Sequence, residues 1–136
     1  MTRQPVVLFL CVHNAGRSQM AAAFARQISG GRVAVLCGGS EPADAIHPVV
    51  LQAMQEAGID LSKERPKAFV EADVRRADVV VTMGCGDACP LFPGKRYEDW
   101  QVADPRDQPV ERVRAVRDAL RDKVADLLAS LGYDHG

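Results

Sequence analysis

The sequence predicts an α/β fold, a parallel sheet with helices on both faces. Three observations carry this. Strand-like and helix-like patterns alternate along the whole chain. The strongest strand candidates, Val6-Val7-Leu8-Phe9-Leu10 and Val79-Val80-Val81, are unbroken apolar runs, as expected of strands buried on both faces. Glycines punctuate the pattern at 30–31, 58 and 84, where one element should give way to the next.

Taken in order, Val6 to Val12 reads as the first strand. Ser18 to Ser29 reads as a helix, with Ser18 as N-cap and Gly30-Gly31 as the stop. Arg32 to Cys37 is the second strand, and Gly38-Gly39-Ser40-Glu41-Pro42 breaks the chain. His47 to Ala57 is helical, with Pro48 tolerated in the first turn and Gly58 closing it. A connector leads to a short helix over Ala68 to Arg76 and a third strand over Asp78 to Met83. A Gly-, Cys- and Pro-rich loop, Gly84 to Lys95, precedes a weaker fourth strand, Arg96 to Ala103, and a loop over Asp104 to Pro109. The final helix spans Val110 to Leu131. Val110, Val113, Val116, Leu120, Val124, Leu127, Leu128 and Leu131 recur at steps near three and four, a stripe for core packing.

The 136 residues fit one domain, 1–136, long enough to bury a core. Lys and Arg number 17 against 18 Asp and Glu, so the net charge of -1 offers nothing to nucleic acid or an anionic membrane. No apolar run approaches a membrane span. The opening Met1-Thr2-Arg3-Gln4-Pro5 does not read as a signal peptide, which makes the cytoplasm the expected compartment. There, four cysteines point to catalysis, redox chemistry or metal binding rather than structural disulfides.

The segment Cys11-Val12-His13-Asn14-Ala15-Gly16-Arg17-Ser18 carries the chemistry. A buried strand delivers a thiol to a tight loop that opens directly into a helix. Loop amides and a helix N-terminus both favour negative charge, and such surroundings lower a thiol's pKa from about 8.5 to roughly 3.5–7.5. The same loop can hold a tetrahedral oxyanion above the sulfur while the Arg17 guanidinium takes two of its oxygens. That arrangement suits attack by sulfur on a phosphate-like centre. A buried Cys beside an unrelated Arg is the plainer alternative.

Two further constellations follow strands. Cys85 and Cys89 are separated by three residues in a glycine-rich loop and can reach disulfide geometry if the loop forms a helical turn. A metal pair and two unrelated loop residues are the alternatives, and no second Cys/His pair accompanies them. Asp104-Pro105 can supply a general acid on a stiffened loop, or merely start a turn. Cys37 reads as a buried, inert thiol. Because ligands of parallel α/β sheets sit beyond the carboxyl ends of the strands, the Cys11, Gly84 and Asp104 loops should converge.

Cys11-x5-Arg17-Ser18 with a distant Asp104-Pro105 resembles the low-molecular-weight protein tyrosine phosphatase superfamily. Gln19-Met20-Ala21, the Cys85/Cys89 pair and Gly58-Ile59-Asp60-Leu61-Ser62 resemble its arsenate reductase branch. The resemblance covers nearly the whole chain and implies a four-stranded parallel sheet flanked by helices, low-molecular-weight phosphatase-like. It implies that Cys11 attacks arsenate cradled by Val12, His13, Asn14, Ala15, Gly16 and Arg17, with phosphate or sulfate as mimics. It further implies that Ser18 stabilises the Cys11 thiolate and Asp104 protonates the departing oxygen. Cys85 would then attack Cys11, Cys89 would attack Cys85, and thioredoxin would reduce the resulting bridge. No cofactor or metal is expected, and the chain is expected to act as a monomer.

The chain departs from this family in its cysteine spacing, since relatives carry six residues between the later cysteines. Relatives that hold potassium beside the loop Asn also carry a Glu where Ala22 stands. The rival enzyme reading is a tyrosine phosphatase, against which stand Arg106, where an aromatic usually follows Asp-Pro, and the later cysteine pair. A mycothiol-dependent reductase is a second rival, and such relatives lack that pair. A thiol-based arsenite sensor is a third, unsupported by any DNA-reading helix.

Overall fold

The structure, a computed structural model, describes residues 4–84 and 93–133. Cys85 and Cys89 lie outside the described residues. Four strands, β1 (Val6–Cys11), β2 (Ala34–Gly39), β3 (Val79–Met83) and β4 (Arg96–Asp99), form one sheet in the order β2-β1-β3-β4, every pair parallel. The helices are α1 (Arg17–Ser29), α2 (Pro48–Glu56), α3 (Glu71–Arg76) and α4 (Val110–Ser130).

The apolar run of β1 explains the layering. Alternate residues point to opposite faces of a sheet. Val7, Phe9 and Cys11 meet Met20 and Phe24 of α1, Val50 and Met54 of α2, and the α4 stripe Val113, Leu120, Val124, Leu127 and Leu128. Val6, Leu8 and Leu10 meet Val74 of α3 and Val80 of β3 on the other face. Side chains such as Phe9, Phe24 and Leu8 are wholly buried, each contributing about 1.5–3 kcal/mol of hydrophobic stabilisation. The helical stripe of α4 is core packing, as its periodicity predicts.

Several boundaries differ from the sequence expectation, each for a physical reason. β2 starts later and runs through Gly38 and Gly39, which pair with Leu10 and Cys11. These glycines do not break the strand. A Cβ at Gly38 would lie 2.7 Å from the Phe69 backbone, and one at Gly39 would lie 2.6 Å from the Val12 carbonyl oxygen. Close approach is what requires glycine there. α3 starts at Glu71 rather than Ala68, because Ala68 is held in a parallel bridge to Gly39 and the Phe69 N–H donates to the Gly39 carbonyl. β4 is shorter than expected, ending at Asp99. Gly16, not Ser18, caps α1, because the Ser18 side chain is turned inward to other partners.

Candidate active site

Cys11 ends the central strand, with Gly39 on one side and Met83 on the other. The loop that follows is held from outside. The carbonyls of Cys11, Val12, His13 and Ala15 accept hydrogen bonds from the N–H groups of Ser40, Glu41, Ala43 and His47, at 3.2, 2.7, 3.0 and 3.1 Å. Among the described residues no peptide bond is cis. In a trans peptide each C=O points opposite to the next residue's N–H, so the N–H groups of Val12, His13, Asn14 and Gly16 point away from that outer strap. The Asn14 N–H shows where they are aimed, reaching Cys11 Sγ at 3.3 Å. Asn14 adopts φ 49°, a left-handed conformation that Asn tolerates better than most residues.

The thiol has a second partner, the Ser18 hydroxyl, at 2.9 Å. Asn14 Nδ2 donates to that same hydroxyl at 2.7 Å. The Asn14 side-chain oxygen accepts from the Lys67 N–H and from Gln19 Nε2, both at 3.0 Å. Asn14, Ser18 and Gln19 are all fully buried. An oxygen that faces two N–H donors does not fit a potassium ligand, and the Asp60 carboxylate is engaged by the Ser62 N–H.

Arg17 opens α1 with its side chain only 11% exposed. Its Nη1 donates to the Val102 carbonyl at 3.3 Å, and its Nη2 lies 3.8 Å from Asp104 Oδ2. Gly84, at φ +91°, sits so close that a Cβ there would lie 2.8 Å from Arg17 Nη1. Pro105 presses on Gly16 in the same way, 2.8 Å from where a Cβ would stand. The loops after β1, β3 and β4 therefore converge on Arg17, as strand polarity predicts. Asp104 Oδ1 also accepts the Arg106 N–H at 3.0 Å, an Asx turn that fixes the carboxylate beside the guanidinium.

His47 lies beside Gly16, its ring 3.5 Å from where a Cβ would stand. Burial lowers its pKa from the ordinary value; the Asp104 carboxylate opposes this, and Arg106 and His13 reinforce it. His13 donates from Nδ1 to the Glu41 carbonyl at 2.9 Å. A cavity of about 510 Å³ lined by His13, Glu41, Asp44, His47 and Arg106 adjoins the loop on the side of its outer strap. Cys37 is buried in β2, with Lys67 Nζ 3.5 Å from its sulfur.

Among the described residues, the site thus gathers Cys11, Arg17, Ser18 and Asp104 with the loop from Val12 to Gly16. Sequence reasoning did not assign site roles to Gly39, His47 or Lys67, nor a contact with Arg17 to Gly84. Gln19 carried a signal, being polar at the head of the otherwise small and apolar run Met20 to Ala25.

The model of the low molecular weight phosphotyrosine protein phosphatase family matches residues 6–135. A putative arsenate reductase of Halobacterium salinarum is 38% identical over 131 residues, covering 93% of this chain and 92% of the relative. The solved thioredoxin-dependent arsenate reductase of Corynebacterium glutamicum superposes with TM-score 0.85 at 39% identity, over 96% of this chain; this chain spans 63% of that one. A structure described as an arsenate reductase in the phosphate binding state superposes with TM-score 0.81 at 36% identity, over 93% of this chain and 98% of that one.

Proposed function

Since the chain belongs to the low molecular weight phosphotyrosine protein phosphatase family, and since relatives within it are arsenate reductases, we propose that it reduces arsenate to arsenite. The observation that carries the reading is the pair of hydrogen bonds at Cys11 Sγ, one donated by the Asn14 N–H and one shared with the Ser18 hydroxyl, in the loop that Arg17 closes. These two contacts hold the sulfur at the mouth of the loop, where, as thiolate, it is the attacking group.

In this reading the amides of Val12 to Arg17 cradle the oxyanion and the Arg17 fork binds two of its oxygens. Among the described residues Arg17 spends one N–H on the Val102 carbonyl, and its remaining donors can face the oxyanion without leaving that seat. Cys11 sulfur bonds to arsenic as one arsenic-bound oxygen leaves as water, its proton supplied by Asp104. Cys85 thiolate then attacks Cys11 sulfur. A sulfur–sulfur bond forms, the sulfur–arsenic pair stays on arsenic, and arsenite departs two electrons richer. Cys89 attacks Cys85, releasing Cys11 and moving the disulfide to the 85/89 pair, which thioredoxin reduces. Gly84, the residue before Cys85 in sequence, lies against Arg17, which supports a resolving thiol on that loop. The reaction is assigned to the cytoplasm, where thioredoxin keeps thiols reduced; among the described residues, no helix is long and apolar enough to cross a membrane.

The test is arsenate-dependent NADPH oxidation with thioredoxin and thioredoxin reductase, run beside aryl-phosphate hydrolysis. Turnover requiring both arsenate and thioredoxin supports the reading. Strong hydrolysis without arsenate turnover assigns the chain to the phosphatases. Cys89→Ser should release arsenite once and trap a Cys11–Cys85 bond, whereas its full multiple turnover would sink the relay.

A further inference from the structure

Gln19 is a polar residue completely buried near the start of α1, and it touches neither Cys11 nor the place where an oxyanion would sit. Its Nε2 donates to Asn14 Oδ1 at 3.0 Å and to the Arg65 carbonyl at 3.2 Å, while its Oε1 has no partner among the described residues. A buried amide oxygen left unpaired is destabilising, and an apolar side chain of similar volume would avoid it. Something other than packing therefore accounts for a carboxamide here.

The hydrogen-bond directions identify what that is. The Lys67 backbone N–H can only donate, so the Asn14 amide presents Oδ1 to it and Nδ2 to Ser18. Ser18 Oγ then accepts from Asn14, and its own hydrogen is free for Cys11 Sγ, which as a thiolate can only accept. If the Asn14 amide turned over, its oxygen would draw the Ser18 hydrogen away from sulfur. Gln19 places a second donor on Asn14 Oδ1, and both contacts of its own amide are acceptors, which fixes its orientation. Through the Arg65 carbonyl it also ties down the segment that presents the Lys67 N–H. We propose that Gln19 is a positioning residue for the nucleophile, holding the Asn14 amide in the orientation that directs the Ser18 hydroxyl hydrogen at Cys11 Sγ. The proposal rests on the reading above only in taking Cys11 as the reacting thiol.

Gln19→Met keeps the volume and removes both donors and the orphaned oxygen. The readout is the rate of Cys11 alkylation by iodoacetamide, followed by peptide mass spectrometry across about pH 5 to 9. The charged groups around the loop, Arg17, Asp104, Arg106, His13 and His47, are untouched by the substitution. Near pH 6.5 the alkylation should slow by about three- to tenfold, the rate equivalent of one hydrogen bond to the attacking sulfur. Tm should stay level or rise. Gln19→Asn, one methylene too short to bridge Asn14 and Arg65, should slow alkylation similarly. In a Ser18→Ala background, Gln19→Met should add no further slowing, because the link it acts through is gone. A profile superimposable on the parent's overturns the proposal. So does equal slowing in the Ser18→Ala background, or slowing matched by a fall in Tm. No arsenate enters this assay, so a failed reductase reading leaves its outcome intact.

Discussion

Replacing Gly84 by Ala should separate catalysis from stability. A Cβ at this position would stand 2.8 Å from Arg17 Nη1, where ordinary contact begins at 3.4 Å, so the guanidinium must retreat by 3.4 − 2.8 = 0.6 Å. The obstacle is the far end of a flexible side chain, so the contact itself adds little to the folding cost. The backbone adds more, since φ +91° is a conformation that L side chains resist, at a penalty of about 1–2 kcal/mol. Catalysis suffers differently. Arg17 must hold two oxygens in a fixed fork, and a misplacement approaching 1 Å costs on the order of 10²-fold. The expected result is a modest fall in Tm with kcat/KM for arsenate down by about 10- to 100-fold. Gly58→Ala is the control, with φ +82° and nothing within 4 Å of the new Cβ. It should share the stability loss and keep full activity. Parent-like kcat/KM in Gly84→Ala, or equal activity loss in both variants, would refute the assignment of Gly84 as the seat of the guanidinium.

Three other outcomes are expected. Gly39→Ala, whose Cβ would meet the Val12 carbonyl oxygen at 2.6 Å and the Asn14 nitrogen at 3.0 Å, faces backbone that cannot swing aside; thermal unfolding should show a loss of about 1–3 kcal/mol, and phosphate affinity should fall with it. His47, whose pKa is depressed chiefly by burial, binds its proton more readily when unfolded, so stability should decline as pH falls from about 6.5 through the folded-state value. His47→Gln should flatten that decline in Tm measured against pH, and an unchanged slope would exclude His47 as its source. Exchanging KCl for NaCl at equal ionic strength should leave kcat/KM unchanged, because the Asn14 oxygen already accepts two N–H donors; selective activation by potassium would show that these donors give way to the ion.

The parts of the site legible in the sequence are those encoded within a few residues of one another. The thiol, Arg17 and Ser18 share one loop and its helix, and the apolar runs of β1 and β3 announce a sheet that brings Asp104 alongside. What stayed hidden depends on long-range meetings. Gln19 reaches Arg65 and Asn14 reaches Lys67 across 46 and 53 residues of sequence, with no periodicity to announce them. Gly38 and Gly39 look like a break when read locally, and only the approach of Phe69 and Val12 reveals why a strand needs them. Ser18 has the identity of a helix cap, but its burial beside sulfur outweighs that local preference. The Cys85/Cys89 pair remains legible as chemistry through sequence alone, since its residues lie outside those described.

The central position of β1 also bears on how the protein is made. Both of its neighbours, β2 and β3, come later in the chain, and the second is complete only at Met83. At translation speeds of about 5–20 residues per second, the first strand waits roughly 4–14 s for its second flank. Through that interval the nascent chain carries a wholly apolar segment with one edge unpaired, ending in its reactive thiol. The strand that gives the nucleophile its firmest seat in the finished molecule is therefore the part of the newborn chain most exposed to aggregation and to premature oxidation.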